Sequence, residues 1–282
     1  MSEIQIIERL QRRVPIAKGE LVLGIGDDCA IFRPRGARED LLFTTDLLIE
    51  GVHFPRDLRA DAVGHRALAR SLSDIAAMGG TPRFCLVSIA LPDKWTRHLD
   101  AFYNGLLKLA RRHGVTVAGG DLSHTSKLTI DVMVCGAVPR GRALRRDGAK
   151  PGDTLYVSGK LGRAAAGGYR AQPEPKLAAG RALRGRASAC MDLSDGLSID
   201  LLRLCEASGV SADIAEVPVA PRATLEQALH GGEDYELLYT GPPGLPGLPI
   251  GKIGGSIPGM ITYGGELLQP RGYDHFAYNS RR

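Results

Sequence analysis

The sequence predicts an α/β (α+β) protein built as two domains, residues 1–138 and 139–282, and three observations carry that prediction. Strand-like and helix-like segments alternate along most of the chain. Around Pro139-Arg140-Gly141 this rhythm gives way to a polar stretch reaching Asp153, after which it restarts. Apolar residues make up 44% of the 282 and charged residues 24%, enough for packed cores and no case for disorder.

Leu41-Leu42-Phe43-Thr44-Thr45 reads as a buried strand. Residues 60–78 read as a helix, with Leu68, Leu72, Ile75 and Met78 near one face and Gly79-Gly80 and Pro82 as its stop. Residues 84–91 form a strand ended by Pro92, and 95–113 a helix with Leu99, Phe102, Leu106 and Leu109 on one stripe. A short strand follows at 115–118 and a longer one at 128–138. In the second half the pattern gives strand 154–158, helix 161–169, strand 187–191 and helix 197–208. The Gly- and Pro-rich tail, 241–265, reads as loops joining short strands, and no residue-level repeat relates the halves.

The net charge is +5 and the pI about 9.0, but the excess comes from arginines scattered through 140–146, 181–186 and 281–282. Without a run of like charges this implies a solvated surface, and aromatics at 5% are too few for a nucleic-acid stacking platform. Cys29, Cys85, Cys135, Cys190 and Cys205 are odd in number and form no C-x-x-C, so small buried residues in a reducing compartment are expected. The N-terminus lacks the features of a signal peptide and no apolar stretch is long enough to cross a bilayer; no membrane and a cytoplasmic setting are expected.

Chemistry is suggested by where the aspartates fall. Gly24-Ile25-Gly26-Asp27-Asp28 puts two on a glycine turn, Thr44-Thr45-Asp46 one at a strand end, and Ser73-Asp74 one near the apolar face of a helix. Gly119-Gly120-Asp121, Asp192-Leu193-Ser194-Asp195-Gly196 and Gly231-Gly232-Glu233-Asp234 extend the series. One aspartate in a turn usually bonds its own backbone. So many beside Gly, Ser or Thr, mostly at strand ends, predict a shared acidic pocket whose repulsion needs a counter-ion. Hard oxygen ligands suit several Mg²⁺ ions, and Mg²⁺ held by a few carboxylates points to phosphoryl or nucleotidyl chemistry. No G-x-x-x-x-G-K-[ST] and no kinase H-R-D…D-F-G set occurs, so an ATP site is built another way.

Taken in order, these motifs, with Glu50-Gly51-Val52-His53-Phe54, Leu72-Ser73-Asp74-Ile75-Ala76-Ala77-Met78-Gly79 and Gly231-Gly232-Glu233-Asp234-Tyr235-Glu236-Leu237-Leu238, resemble the thiamine-monophosphate kinases of the PurM-like ATP-binding superfamily. The resemblance spans residues 3–276. It implies a two-domain PurM-like fold, an N-terminal mixed sheet that pairs in a homodimer plus a C-terminal α/β domain. It also implies Mg²⁺-dependent, direct in-line transfer from ATP to thiamine monophosphate, giving thiamine diphosphate. By matching position, Asp28, Thr44, Thr45, Asp46, Asp74, Asp121, Asp192 and Asp195 are implied to hold Mg²⁺. Tyr103, Gly120, Asp121, Arg146 and Ser194 are implied to contact ATP, and His53, Glu233 and Tyr273 thiamine monophosphate. Asp46, Asp74, Asp121 and Arg146 are implied to be catalytic. Leu122-Ser123 stands where the family usually has two threonines, and the loops around 168–190 and 240–268 are compressed.

Plainer readings stand beside these. His53 also reads as a half-buried turn histidine, Trp95 as packing, Lys160 as a solvated helix-start lysine, Asp200 as a surface residue and Tyr235 as a strand residue. Rival functions are another PurM-like ATP enzyme, a nucleotide- or RNA-binding protein without catalysis, and a metal-stabilised structural protein. No cysteine precedes Cys29, which counts against a selenophosphate synthetase.

Overall fold

The computed structural model describes residues 3–14, 18–255 and 257–276, so Arg281 and Arg282, noted above, lie outside it. Helix α1 (Glu3–Gln11) leads to β1 (Leu21–Leu23), β2 (Ala30–Phe32) and the long strand β3 (Glu39–Ile49). Helix α2 (Ala60–Ala77), β4 (Thr81–Leu91), α3 (Asp93–Thr96), α4 (Leu99–His113), β5 (Thr116–His124) and β6 (Thr129–Pro139) complete the first half. The strands lie in the order β1-β2-β3-β6-β4-β5, all antiparallel except the β4–β5 pair.

Strand β3 runs beyond the apolar stretch 41–45 because alternation continues through polar residues. Leu42 and Leu48 face inward and are buried, whereas Thr45 and Leu47 face outward and are exposed. Val132 and Val134 on β6 and Val87 and Ile89 on β4 extend the inner face. Helix α2 lies across it. Fourteen of its eighteen residues are buried, as in a helix packed on all sides. A Cβ at Gly64 would stand 1.9 Å from the Phe102 carbonyl oxygen, so α2 and α4 meet backbone to backbone. The helix expected over 95–113 is split into α3 and α4, and Trp95 at the split is buried, donating its Nε1–H to Glu50 at 3.0 Å.

The second half contains β7 (Thr154–Val157), α5 (Arg163–Ala166), α6 (Leu177–Leu183), β8 (Ala189–Asp192), α7 (Leu197–Ser208), β9 (Ser211–Ile214), α8 (Leu225–His230), β10 (Leu237–Gly241), β11 (Leu248–Gly254), β12 (Ile261–Tyr263) and β13 (Glu266–Leu267). The strands order as β13-β12-β9-β11-β7-β10-β8, with only β12 and β9 parallel. The helix expected over 161–169 shrinks to α5 because Gly167-Gly168 ends it. Helix α8, absent from the sequence reading, starts on a capping box between Thr224 and Gln227.

Strands β7, β8 and β10 of this second sheet are buried on both faces, and strand alternation divides their side chains between two apolar cores. Leu155, Val157, Met191 and Leu238 join Leu197, Leu201 and Leu204 of α7 in one core. Tyr156, Cys190, Leu237 and Tyr239 point the other way, into the core that holds α2 and the first sheet. Helix α6 packs on α2 from the same side. All five cysteines are buried and free, as small core residues. No described helix is long and apolar enough to cross a membrane.

Candidate active site

Strand β2 pairs with β3 only from Leu41 to Phe43, so from Thr44 onward β3 has β6 on one side and an open edge on the other. A cleft of about 870 Å³ lies off that edge. Its walls come from β3 and the turn after it, from α2, from the loop after β8, from the segment before β10, and from Tyr273, His275 and Phe276.

At its acidic end, Asp28, Asp74 and Asp192 each bring a carboxylate oxygen within 4.8 Å of the others. Three elements supply them: the β1–β2 loop, the last turn of α2 and the end of β8. The Thr44 hydroxyl donates to Asp74, and Asp46 stands next along the inner face of β3. Burial, then repulsion from Asp46, Asp192 and Asp28, holds the Asp74 carboxyl well above the usual range. Burial and repulsion from Asp28 do the same for Asp192. Asp28 is pushed up to about 7, by burial first, although the Arg146 guanidinium opposes it. Burial also raises Asp46.

Arg146, in the link between the halves, donates to Asp28 Oδ1 at 2.6 Å and to Asp27 Oδ1 at 3.4 Å. That leaves Asp28 Oδ2 and Asp192 Oδ2 buried with no hydrogen-bond partner among the described residues. Orphaned acceptors among crowded carboxylates, all of them hard oxygen donors, fit a divalent cation such as Mg²⁺. Asp28, Asp74, Asp192 and, one step away, Asp46 are the residues that would hold it.

The loop after β8 is braced from below. Asp200, on α7, is fully buried, which overturns its reading as a surface residue. Its Oδ2 accepts the backbone N–H groups of Asp195 and Gly196 at 3.0 and 3.1 Å, and its Oδ1 accepts from Arg203 at 2.7 Å. Arg203 also donates to Asp195 Oδ2 at 2.6 Å. Ser194 and Asp195 are thereby held at the cleft wall.

The other end is built around Glu233 and His53. Glu233 has φ +69° and Tyr235 φ +51°, conformations that favour glycine, so Tyr235 sits in a strained segment ahead of β10 and not in a strand. The segment is pinned to the β8 loop, Glu233 N donating to Ser194 O at 2.7 Å and Tyr235 N to Leu193 O at 3.0 Å. Arg66 and Arg70, one turn apart on α2, hold the Glu233 carboxylate, Arg66 closely and Arg70 at 3.4 Å. Asp234 and Glu236 turn away: Asp234 accepts N–H groups of Gly162 and Ala164 at the start of α5, and Glu236 pairs with Ser158 and Lys176. His53 is buried. Its Nδ1 accepts from Ile49 N at 2.9 Å, and its Nε2 lies 3.3 Å from His275 Nε2. His275 reaches the Tyr273 hydroxyl, also at 3.3 Å.

The structure does not bring every expected residue together. Thr45 points to the outer face of the sheet, donating to Asp131 at 2.5 Å, while Thr44 next to it points inward. Asp121 is exposed on β5 and ends the register row Leu47–Asp131–Ser88–Asp121. Three strand spacings put it roughly 14 Å across the sheet from Leu47. Gly120 stands beside it, opposite Val87. Tyr103, on α4, packs edge-on to Phe102 with ring centroids 5.3 Å apart and does not line the cleft. Conversely, Arg66, Arg70, Asp200, Arg203 and His275 escaped the sequence reading. The four-residue spacing of Arg66, Arg70 and Asp74, which stacks them along one helix face, was the available signal.

Comparison with known proteins identifies the fold and the family. Residues 26–138 match the family described as AIR synthase related protein, N-terminal domain. A structure described as "AaThiL complexed with AMPPCP and TMP" superposes with a TM-score of 0.87 at 30% identity, covering 98% of this chain and 97% of that one. The fold is therefore that of the AIR-synthase-related, PurM-like proteins. The thiamine-monophosphate kinase of Escherichia coli K12 is 36% identical over an alignment 323 positions long, which covers 98% of each chain. That of Stenotrophomonas maltophilia, a crystal structure, gives a TM-score of 0.77 at 33% identity, covering 94% of this chain and 96% of that one. The chain belongs to the thiamine-monophosphate kinase family and is an enzyme of the kinase class.

Proposed function

We propose that the chain transfers the terminal phosphoryl group of ATP to thiamine monophosphate, giving thiamine diphosphate and ADP, in an Mg²⁺-dependent reaction without a covalent enzyme intermediate. The observation that carries this reading is the orphaned acceptor Asp192 Oδ2, on a residue that lines the same cleft as Glu233 and His53, with a second orphaned acceptor, Asp28 Oδ2, on the carboxylate beside it. A cation-seeking end and an end able to hold an organic acceptor share one cavity.

An acceptor phosphate oxygen is already anionic at neutral pH, so the site needs no strong general base. What opposes reaction is repulsion between two polyanions, and bound Mg²⁺ would supply the counter-charge. The chain's own task is positioning. Arg146, fixed by Asp27 and Asp28, places a guanidinium beside the acidic end, where it stabilises phosphate charge. Glu233, fixed by Arg66, offers a carboxylate to the cationic acceptor, and His53 with Tyr273 closes that end. Ser194 and Asp195 present the β8 loop from the wall braced by Asp200.

We also read the two halves, 1–138 and 139–282, as two domains and the active species as a homodimer. The outer face of the first sheet leaves Leu47 48% and Leu86 36% exposed, and Leu47 also lines the cleft. A second copy laid over this face would cover both leucines and give its Asp121, Gly120 and Tyr103 a route to the neighbouring cleft.

The test is ADP release from ATP and Mg²⁺ with thiamine monophosphate, with thiamine and with no acceptor. Turnover with the monophosphate alone, abolished by EDTA, is the expected result. Turnover independent of the acceptor would overturn the reading.

A further inference from the structure

The buried, partnerless polar atoms of the cleft sort by chemical type. Asp28 Oδ2 and Asp192 Oδ2 are acceptors and belong to the cation end. Arg70 Nε and the Tyr235 hydroxyl are donors, and neither has a partner among the described residues. Both residues line the cleft, and Arg70 reaches Glu233, two residues ahead of Tyr235 in the same segment.

Arg66 and Arg70 reach the same carboxylate, yet they are employed differently. Arg66 binds Glu233 closely, and its other terminal nitrogen donates to the Tyr169 and Ala171 carbonyls at 2.6 and 2.7 Å. Its hydrogen bonds are taken up in structure. Arg70 reaches Glu233 at 3.4 Å and Asp46 at 3.5 Å, both at the outer limit of hydrogen bonding, and its Nε donates to nothing among the described residues. Tyr235 is 2% exposed, and its strained backbone is held by Leu193 O. Burial pushes its phenol well above the ordinary value, so it keeps its proton and stays a donor. An unmade hydrogen bond at such depth is expensive in a resting fold, and two adjacent ones of the same type mark the place of a missing acceptor.

We propose that Arg70 and Tyr235 form an anion subsite for the oxygens of a phosphate monoester, between the acidic cluster and the Glu233–His53 end. The proposal rests on the reading above that the acceptor is a phosphomonoester, and names the residues that read its phosphate. Arg70 touches Asp46 on one side and Glu233 on the other, so the subsite lies where the acceptor phosphate must stand to meet the metal-binding carboxylates. It sets specificity: a phosphorylated acceptor satisfies both donors, and its unphosphorylated counterpart leaves both unmade.

Tyr235→Phe tests this most cleanly, because it deletes one partnerless atom and keeps the ring. Its Tm should equal or exceed that of the wild type. Its affinity for thiamine monophosphate, measured calorimetrically with Mg²⁺ and no nucleotide, should fall on the order of 10- to 100-fold, as for one hydrogen bond to a charged group. Its affinity for thiamine should be unchanged. Arg70→Lys, which keeps the charge but loses the planar fork, should bind the monophosphate better than Arg70→Met. Equal affinity of Tyr235→Phe and wild type for the monophosphate, or equal fractional losses for both ligands, would overturn the subsite. If the wild type fails to turn over thiamine monophosphate, the acceptor reading falls separately, and the subsite is read by titration with inorganic phosphate. Weaker phosphate binding by Tyr235→Phe then supports it, and indistinguishable binding overturns it.

Discussion

Asp74 and Asp121 both belong to the acidic series of the sequence, each following a small residue, yet the fold treats them in opposite ways. Asp74 sits on the inner side of the first sheet, its pKa raised by burial and then by its acidic neighbours. Asp121 sits on an exposed edge strand of the outer side, with the Ser123 hydroxyl 3.2 Å away. The difference teaches that composition shows that carboxylates are numerous, whereas face and register decide which of them meet. Within one chain the acidic series divides into a gathered set and a dispersed one.

The largest effect is expected in the gathered set. Asp74→Asn or Asp192→Asn should lower kcat by on the order of 10³-fold or more, since each removes a carboxylate from a site working by charge placement. Circular dichroism should show an intact fold, and activity near wild type would break the assignment.

Next comes a test of where Asp121 acts. In the homodimer proposed above, Asp46→Asn and Asp121→Asn should each be nearly inactive. If Asp121 serves the cleft of the other copy, mixed dimers of the two should regain activity, because one of their two sites then carries both wild-type residues. Mixtures no more active than the separate variants would return Asp121 to its own chain.

Removal of the Asp200 brace should be milder. Asp200→Asn leaves the N–H groups of Asp195 and Gly196 with a weaker acceptor and Arg203 with one fewer charge partner. A loss of about tenfold in kcat/KM is expected, with a raised Mg²⁺ requirement and little change in the KM for thiamine monophosphate. An equal rise in every KM would instead mean general loosening.

The smallest effect concerns stability without metal. Burial pushes the Asp28 carboxyl up to about 7 in the folded protein, from an ordinary 3.8, so between these values the folded state holds the extra proton. Stability from this group is full below about pH 4 and lost as pH rises through about 7. In EDTA the Tm should therefore fall between pH 5 and 7.5, Asp28→Asn should flatten that fall, and saturating Mg²⁺ should offset it. A Tm equally pH-dependent in Asp28→Asn would contradict the assignment of this fall to the buried Asp28 carboxyl.

Much of the architecture was legible in the sequence. The alternation found β3, α2, β4, β6 and α7, since each carries its periodicity through enough residues to register. Short α6 and α8 and the extension of β5 to His124 were not, because β5 is almost entirely exposed and lacks an apolar rhythm. In the site, Asp28, Asp46, Asp74, Asp192, His53, Glu233 and Tyr273 fall around one cleft from positions far apart in the chain. The arginines that hold Glu233 were hidden, because charged residues on a helix ordinarily read as its wet face. Here α2 has none, and only side chains that find partners across the interior can be charged on it.

Helix α2 also has a bearing on how the protein comes into being. Its partners in the apolar core include Leu177, Leu183 and Cys190, more than a hundred residues downstream of the middle of the helix. During synthesis, α2 emerges long before the residues that cover its second side. The nascent first half therefore exposes an apolar surface studded with Arg66 and Arg70, and chaperone dependence should peak in that interval and end once the α6–β8 segment clears the ribosome.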